Sequence, residues 1–266
     1  MTVAGSDSGG GAGVQADLRT FAALGVHGAS AITAITAQNT YEVRAVCPLE
    51  AEMVRAQVET VTDDLDVVAV KTGMLARPAT VSEVARLARE GRLPNLVVDP
   101  VLVTSTGHPL MERGGALAYR DELIPTALVV TPNLHEAAVL VGTDVRELTT
   151  TAAMADAARA IRGWGAAFVL VKGGHHAERS DTDHDSPDVL VGEEVTVFES
   201  ARVRTDNDHG TGCSLAAAIA ARLAHGDDVP AAVSAAKAFV HRALESAAPW
   251  RLGKGHGPID HLGWGR

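Results

Sequence analysis

The stretch Asp208-His209-Gly210-Thr211-Gly212-Cys213-Ser214, leading straight into the Ala-rich run Leu215 to Ala224, combines residue types that could hold an anion and act on it. Two glycines let the backbone turn tightly, and the first N–H groups of a helix that begins there have no acceptor within it. A phosphate fits such an end, because the helix dipole adds to the free donors. Cys213 would stand at the helix start, where a thiol is acidified. The chemistry implied is phosphoryl transfer with a cysteine close to the reacting group. Taken alone, the stretch is more simply a turn that holds a small buried thiol, so the rest of the chain has to decide.

Other segments carry compatible chemistry. The N-terminal run from Gly5 to Asp17 is glycine-rich, lacks the lysine of a P-loop and does not space its glycines as GxGxxG, so neither nucleotide fingerprint applies. Its glycines, interspersed with Ser and Asp after a strand-like run, suit close approach of backbone to a ligand. Gln38 follows the apolar run Ala31 to Ala37, and its amide could pair with the edge of an aminopyrimidine. Asn133 and Glu136 stand three apart at a helix start. They could hold Mg²⁺ through its waters, or they could simply cap the helix. Lys172, after another strand-like run, can reach a phosphate as a point charge. His175, His176 and His184 with Asp181, Asp183 and Asp185 are too irregularly spaced for a metal site and read as a solvated loop.

The elements that must position these residues are legible as alternating runs. Val67 to Val70, Leu96 to Val98, Leu128 to Val130 and Phe168 to Val171 read as buried strands. Met53 to Asp63, Thr80 to Glu90, Gly114 to Leu123, Leu134 to Leu140 and Ala152 to Trp164 have helical spacing. Val189 to Val191 and Val195 to Phe198 read as a hairpin around Gly192-Glu193-Glu194. Repeated βα units predict an α/β fold with a mostly parallel sheet covered by helices on both faces, and ligands bind such sheets beyond the carboxyl ends of the strands. No linker or repeat divides the chain, so residues 1–266 are expected to form one domain.

The composition excludes several classes. A formal charge of -10 without a Lys/Arg cluster argues against a nucleic-acid partner or an anionic membrane. Cys47 and Cys213 lie far apart with no CxxC pair, which fits a reduced compartment. No signal peptide and no apolar run of the ~20 residues needed to span a bilayer is present, so a cytoplasmic location is expected.

Taken together, the segments AGSDSGGGAGVQADL, TAITAQNT, KTGML, VVDPV, TPNLHEA, VLVKGGH and HGTGCSLAAAIAA, in this order, resemble the hydroxymethylpyrimidine/phosphomethylpyrimidine kinases of thiamine synthesis. These belong to the ribokinase-like superfamily, so the resemblance implies a three-layer α/β/α sandwich. It also implies ATP-dependent phosphorylation of the hydroxymethyl group of an aminopyrimidine, with ATP and Mg²⁺ required and a homodimer as the assembly. By residue, it implies that Gln38 reads the aminopyrimidine with Ala12, Asp17 and Met74 nearby. Asn133 and Glu136 would organise Mg²⁺. Lys172, Asp99, Thr205, Thr211 and the loop Gly210 to Gly212 would hold the nucleotide, and Cys213 would stand where sugar kinases of the superfamily have an aspartate base.

One departure is Thr205-Asp206-Asn207-Asp208-His209, where the family commonly reads TKNTH. Two acids beside a triphosphate predict a stronger dependence of nucleotide affinity on divalent cation. Three alternatives remain open at this point: a pyridoxal-type kinase, a cysteine hydrolase pairing Cys213 with His209, and a non-catalytic pyrimidine-binding regulator.

Overall fold

The computed structural model describes residues 1–102, 110–174 and 187–265. Its described strands form one nine-stranded sheet in the order β3-β2-β1-β4-β5-β6-β7-β8-β9. These are β1 (Thr2–Ser6), β2 (Ser30–Gln38), β3 (Val43–Pro48), β4 (Lys71–Thr72), β5 (Val97–Val98), β6 (Val129–Val130), β7 (Phe168–Lys172), β8 (Asp188–Val191) and β9 (Val195–Phe198). Pairing is parallel from β2 through β7 and antiparallel where β3, β8 and β9 join at the two edges.

The helices are α1 (Gly13–Ala23), α2 (Ala51–Thr62), α3 (Pro78–Arg89), the short α4 (Gly115–Ala118), α5 (Leu134–Val141), α6 (Thr151–Arg162), α7 (Thr211–Ala224) and α8 (Val229–Ala247). The period-two alternation of the strands assigns them to two layers. Val98, Val130, Val169 and Val171 pack with residues of α2, α3, α5 and α6, such as Val58, Val84, Ala137 and Ile161. Their neighbours Val97, Val129 and Leu170 point the other way, onto Phe21 of α1, Ile219 of α7 and Val233 of α8. A two-residue strand buried on both faces needs only such a Val-Val pair, which is why the central strands read as short continuous apolar runs. The three-layer α/β/α expectation therefore holds.

Some boundaries move. The run Val67 to Val70 leads into β4, whose pairing with β1 and β5 begins only at Lys71, and Val68 is left 46% exposed. The expected helix Gly114 to Leu123 is one α-turn followed by wide π-type turns through Leu123 and a tight turn, Ile124–Thr126, containing Pro125. Those turns bury the whole of Tyr119 beneath β4, its hydroxyl donating to Gly73 O at 3.4 Å. Strand β3 and helix α8 escaped the pattern reading, β3 because almost every residue in it is exposed and no alternation marks it. The His/Asp-rich loop from 175 to 186 lies outside the described residues. No described helix is long and apolar enough to cross a membrane.

Candidate active site

From β1 the chain crosses to β2 on one side, yet β4 lies on the other side of β1. The helices that follow β1 and β4 cover opposite faces, α1 with the α7–α8 layer and α3 with the α2–α6 layer. Connections that diverge in this way open a crevice at the carboxyl ends of the two strands. The loop after β1, Gln38 of β2, Met74 after β4, Asp99 after β5, Asn133 after β6 and Lys172 of β7 all lie along that edge, as the sequence predicts.

The glycine-rich loop is organised by Asp7, which none of the motif arguments singled out. Its carboxylate accepts N–H bonds from Gly9 (2.8 Å), Gly11 (3.0 Å) and Ala12 (2.8 Å), and lies 3.1 Å from His209 Nε2. Burial alone would raise the Asp7 carboxyl, but the His209 and backbone donors outweigh it and hold the group below the usual carboxylate range. Two glycines permit backbone to touch backbone. Gly13 has φ +58°, and a Cβ there would meet Gly5 O at 2.4 Å; Gly210 has φ +85°, and a Cβ there would meet Gly11 O at 1.9 Å. The start of α7 is thereby pressed onto the N-terminal loop.

At that start Gly210 is the N-cap, so the N–H groups of Gly212 and Cys213 lack intrahelical acceptors and stand at the positive end of the helix dipole. Lys172 lies beside them, since a Cβ built on Gly212 would come within 3.2 Å of Lys172 Nζ. The ammonium donates to Asp99 Oδ1 at 2.8 Å, and Thr131 Oγ1 donates to the same oxygen at 3.2 Å. Burial opposes the Lys172 charge, yet Asp99 and Glu136 more than restore it. Lys172, Asp99, Thr211 and the Gly210 to Gly212 turn are thus brought together at one end of the crevice. Thr205 supports the turn indirectly, accepting the Asn207 N–H at 3.0 Å.

Cys213 shares this region with Lys71, Asp99 and Asp17, and the Gly13 N–H is directed at its sulfur. The acidified thiol expected from a helix start is not what the structure provides. Burial pushes the Cys213 thiol up to about 11, and the carboxylates of Asp99 and Asp17 add to that, while Lys71 only partly offsets it. Asp17 also departs from its expected place at the substrate. Its side chain is fully buried, with both oxygens within 3.0 Å of Lys71 Nζ and Oδ2 accepting from Thr2 Oγ1 at 2.6 Å. A carboxylate spent in this way has no edge to offer a ligand; it keeps Lys71 protonated against the cost of burial. Gly73 makes room for that ammonium, as a Cβ there would lie 2.7 Å from Lys71 Nζ.

Asn133 and Glu136 form the reciprocal capping box that the motif also allowed. Asn133 Oδ1 accepts from Glu136 N at 2.9 Å, and Glu136 Oε2 accepts from Asn133 N at 2.8 Å. Burial pushes the Glu136 carboxyl up to about 8, with Lys172 pulling it down and Asp99 pushing it up. Among the described residues, no group of three or more His, Cys, Asp or Glu is gathered to bind a metal directly. The donors here are hard oxygens with lone pairs left over after capping, a set that fits a hydrated Mg²⁺ held through its waters.

Gln38 is half-buried, with Nε2 3.2 Å from His209 Nε2 and Oε1 3.4 Å from Thr36 Oγ1. Met74 lies across Gly5, where a Cβ would come 2.5 Å from Met74 Cε, and Ala12 stands at the α1 N-terminus. Asp208 pairs with His256 Nδ1 at 2.8 Å, and Asp206 is exposed with its carbonyl accepting from Gly257 N at 2.9 Å. Both acids thus belong to the contact between this loop and the C-terminal segment. His209 turns its Nε2 to Gln38 and Asp7 rather than to Cys213, so the hydrolase pairing has no geometry behind it. Asp7, Lys71 and His209 were present in the quoted motifs, but only contacts across the fold give them roles.

The sequence profile of the phosphomethylpyrimidine kinase family matches residues 7–260. A hydroxymethylpyrimidine/phosphomethylpyrimidine kinase from Rhizobium meliloti is 50% identical over 263 residues, covering 98% of this chain and 96% of that protein. The crystal structure of an ADP complex of Bacillus subtilis pyridoxal kinase is similar with a TM-score of 0.86 and 39% identity, over 98% of this chain and 95% of the other. Phosphomethylpyrimidine kinase from Clostridium difficile 630 gives a TM-score of 0.78 at 36% identity, over 91% and 97% of the two chains. The match spans both walls of the crevice, from Asp7 in the glycine loop to the C-terminal segment that closes on His209, and this chain is a kinase that belongs to the phosphomethylpyrimidine kinase family.

Proposed function

We propose that this chain transfers the γ-phosphoryl group of ATP to the hydroxymethyl oxygen of 4-amino-5-hydroxymethyl-2-methylpyrimidine, and then phosphorylates the monophosphate to the diphosphate, in thiamine biosynthesis. The observation that carries the reading is the meeting of Lys172, Asp99 and the start of α7 at one end of a crevice whose other end holds Gln38 and Met74. Phosphoryl transfer is mostly positioning and charge neutralisation, which that arrangement supplies. Lys172 and the first N–H groups of α7 neutralise the phosphates, while Gln38 orients the ring so that its hydroxymethyl group lies toward Cys213. The hydroxyl proton leaves late, when the attacking oxygen is already bonding to phosphorus and has become acidic, and the thiolate form of Cys213 takes it up. Mg²⁺ bound with the nucleotide supplies further neutralisation, and Asn133 and Glu136 would hold it through water.

In this reading residues 1–266 act as one catalytic domain in the cytoplasm, as a homodimer. The apolar exposed residues Ile35, Tyr41, Val43 and Val46 of the β2–β3 hairpin favour a second copy as the partner. Phosphorus NMR of the products from hydroxymethylpyrimidine plus MgATP tests the reading. Expected are a monophosphate resonance followed by a diphosphate; unconsumed ATP would sink the kinase assignment, and a monophosphate that never converts would sink the second step. A pyridoxal-type specificity is the second reading, favoured by the similarity to a pyridoxal kinase. Competition of the two substrates in a coupled ADP assay decides between them.

A further inference from the structure

Gln38 and His209 are 171 residues apart, and the hydrogen bonding around their contact leaves little freedom. The His209 ring lies on Gly11, where a Cβ would come 2.5 Å from His209 Cδ2, and its backbone is tied to the C-terminal segment through His209 N to Gly257 O at 3.0 Å and a bridge to Pro258. This is a clamped ring whose Nε2 meets two partners at once, Asp7 Oδ2 at 3.1 Å and the Gln38 amide at 3.2 Å. One ring nitrogen either donates or accepts; it cannot donate to a carboxylate while accepting from an amide N–H. Asp7 already gathers three backbone N–H groups and is ionised, so it demands a proton on Nε2.

That proton settles the amide. An Nε2–H directed at Asp7 repels the Gln38 NH₂ and attracts Oε1, so Oε1 faces His209 and the NH₂ group lies against Thr36. Thr36 can accept it, because its hydroxyl hydrogen is already committed to Ser6 O at 2.8 Å and its lone pairs are free. The result is one chain of bonds of a single polarity from Gln38 NH₂ through Thr36 to Ser6 on one side, and from His209 through Asp7 to the glycine loop on the other. Half a turn of the amide changes its shape hardly at all but reverses donor and acceptor.

We infer that His209 is the positioning residue that fixes which way round the Gln38 amide faces the crevice, and thereby selects rings presenting an amino group beside a ring nitrogen. The inference rests on the aminopyrimidine reading of the site. Such a ring pairs with an amide of fixed polarity in one orientation only, and that orientation determines where its hydroxymethyl group lies relative to Cys213. A hydroxypyridine, without that donor and acceptor pair, gains nothing from it.

The test uses the full chain in two ways. In ligand-free protein with ¹⁵N-labelled histidine, long-range proton–nitrogen correlation reads the His209 tautomer, assigned by comparison with His209→Gln. A protonated Nε2 is expected, and a neutral ring protonated only at Nδ1 overturns the inference. In kinetics, His209→Leu is expected to lower the ratio of kcat/KM for hydroxymethylpyrimidine over that for pyridoxal by about tenfold, the worth of one oriented hydrogen bond. His209→Gln, which keeps an N–H at that reach, should recover most of the ratio. An equal fall for both substrates in His209→Leu, or no recovery in His209→Gln, overturns it. Failure of the phosphorus NMR experiment would remove the aminopyrimidine reading itself, whereas an Nδ1–H tautomer in a protein that does phosphorylate the pyrimidine removes only the role of His209.

Discussion

The titration of Cys213 is the sharpest consequence of how this site is built. With the thiol at about 11, the thiolate is only ~3 in 10,000 of the population at about pH 7.5, against roughly 1 in 10 for an unperturbed cysteine of pKa near 8.5. Alkylation by iodoacetamide proceeds through the thiolate, so Cys213 is expected to react about 300-fold more slowly than an open thiol from this effect alone. Its rate should rise tenfold per pH unit with no plateau below about pH 10. The exposed Cys47 would mask this, so the measurement belongs in a Cys47→Ser background, with adduct formation followed by intact mass. Replacing Lys71 by Met in the same background removes the cation that pulls the thiol down and should slow the reaction further. A plateau near pH 8, or faster alkylation in the Lys71→Met variant, would refute the electrostatic account of the site. The thiolate that can accept the substrate proton is only this minor population, and Cys213→Ser should keep substrate affinity while losing most of kcat.

Three further predictions follow from the packing. Gly210→Ala would place a methyl group 1.9 Å from Gly11 O at a φ of +85°, so it should destabilise by about 2 kcal/mol or more in urea unfolding; a loss under ~0.5 kcal/mol would mean that the two backbones do not touch. Lys71→Met leaves the fully buried Asp17 carboxylate without its counter-charge and should cost about 3–5 kcal/mol, with the Asp17→Asn/Lys71→Met pair recovering much of it; additive losses would contradict a coupled ion pair. Asp7 has its pKa below the usual 3.8 when folded, so the stability it confers is complete above that value and drains away as pH falls through the lower folded-state pKa. Stability of Asp7→Asn should therefore fall less steeply than that of the parent from about pH 4 to about pH 2, and parallel curves would exclude Asp7 as the titrating group.

The sequence by itself determined the alternation of short Val-rich strands and amphipathic helices, the carboxyl-edge placement of Asn133 and Lys172, and the helix that opens at Thr211. These depend on periodicity, glycine and helix-start chemistry, which act over a few residues and need no knowledge of what packs alongside. The capping box of Asn133 and Glu136 was legible for the same reason. Tertiary structure alone decided the electrostatics of the site. Asp17 meets Lys71 across 54 residues, and Asp7 meets His209 across 202, pairings that no local pattern encodes. The thiol of Cys213 shows why this matters. Its position at a helix start argues for an acidic group, but pKa follows the total environment, and the packing of α1, β4 and β5 around α7 leaves the thiol only partly exposed and brings up two carboxylates. A helix end and a lysine supply the favourable charge, burial outweighs both, and only the folded chain sets that balance.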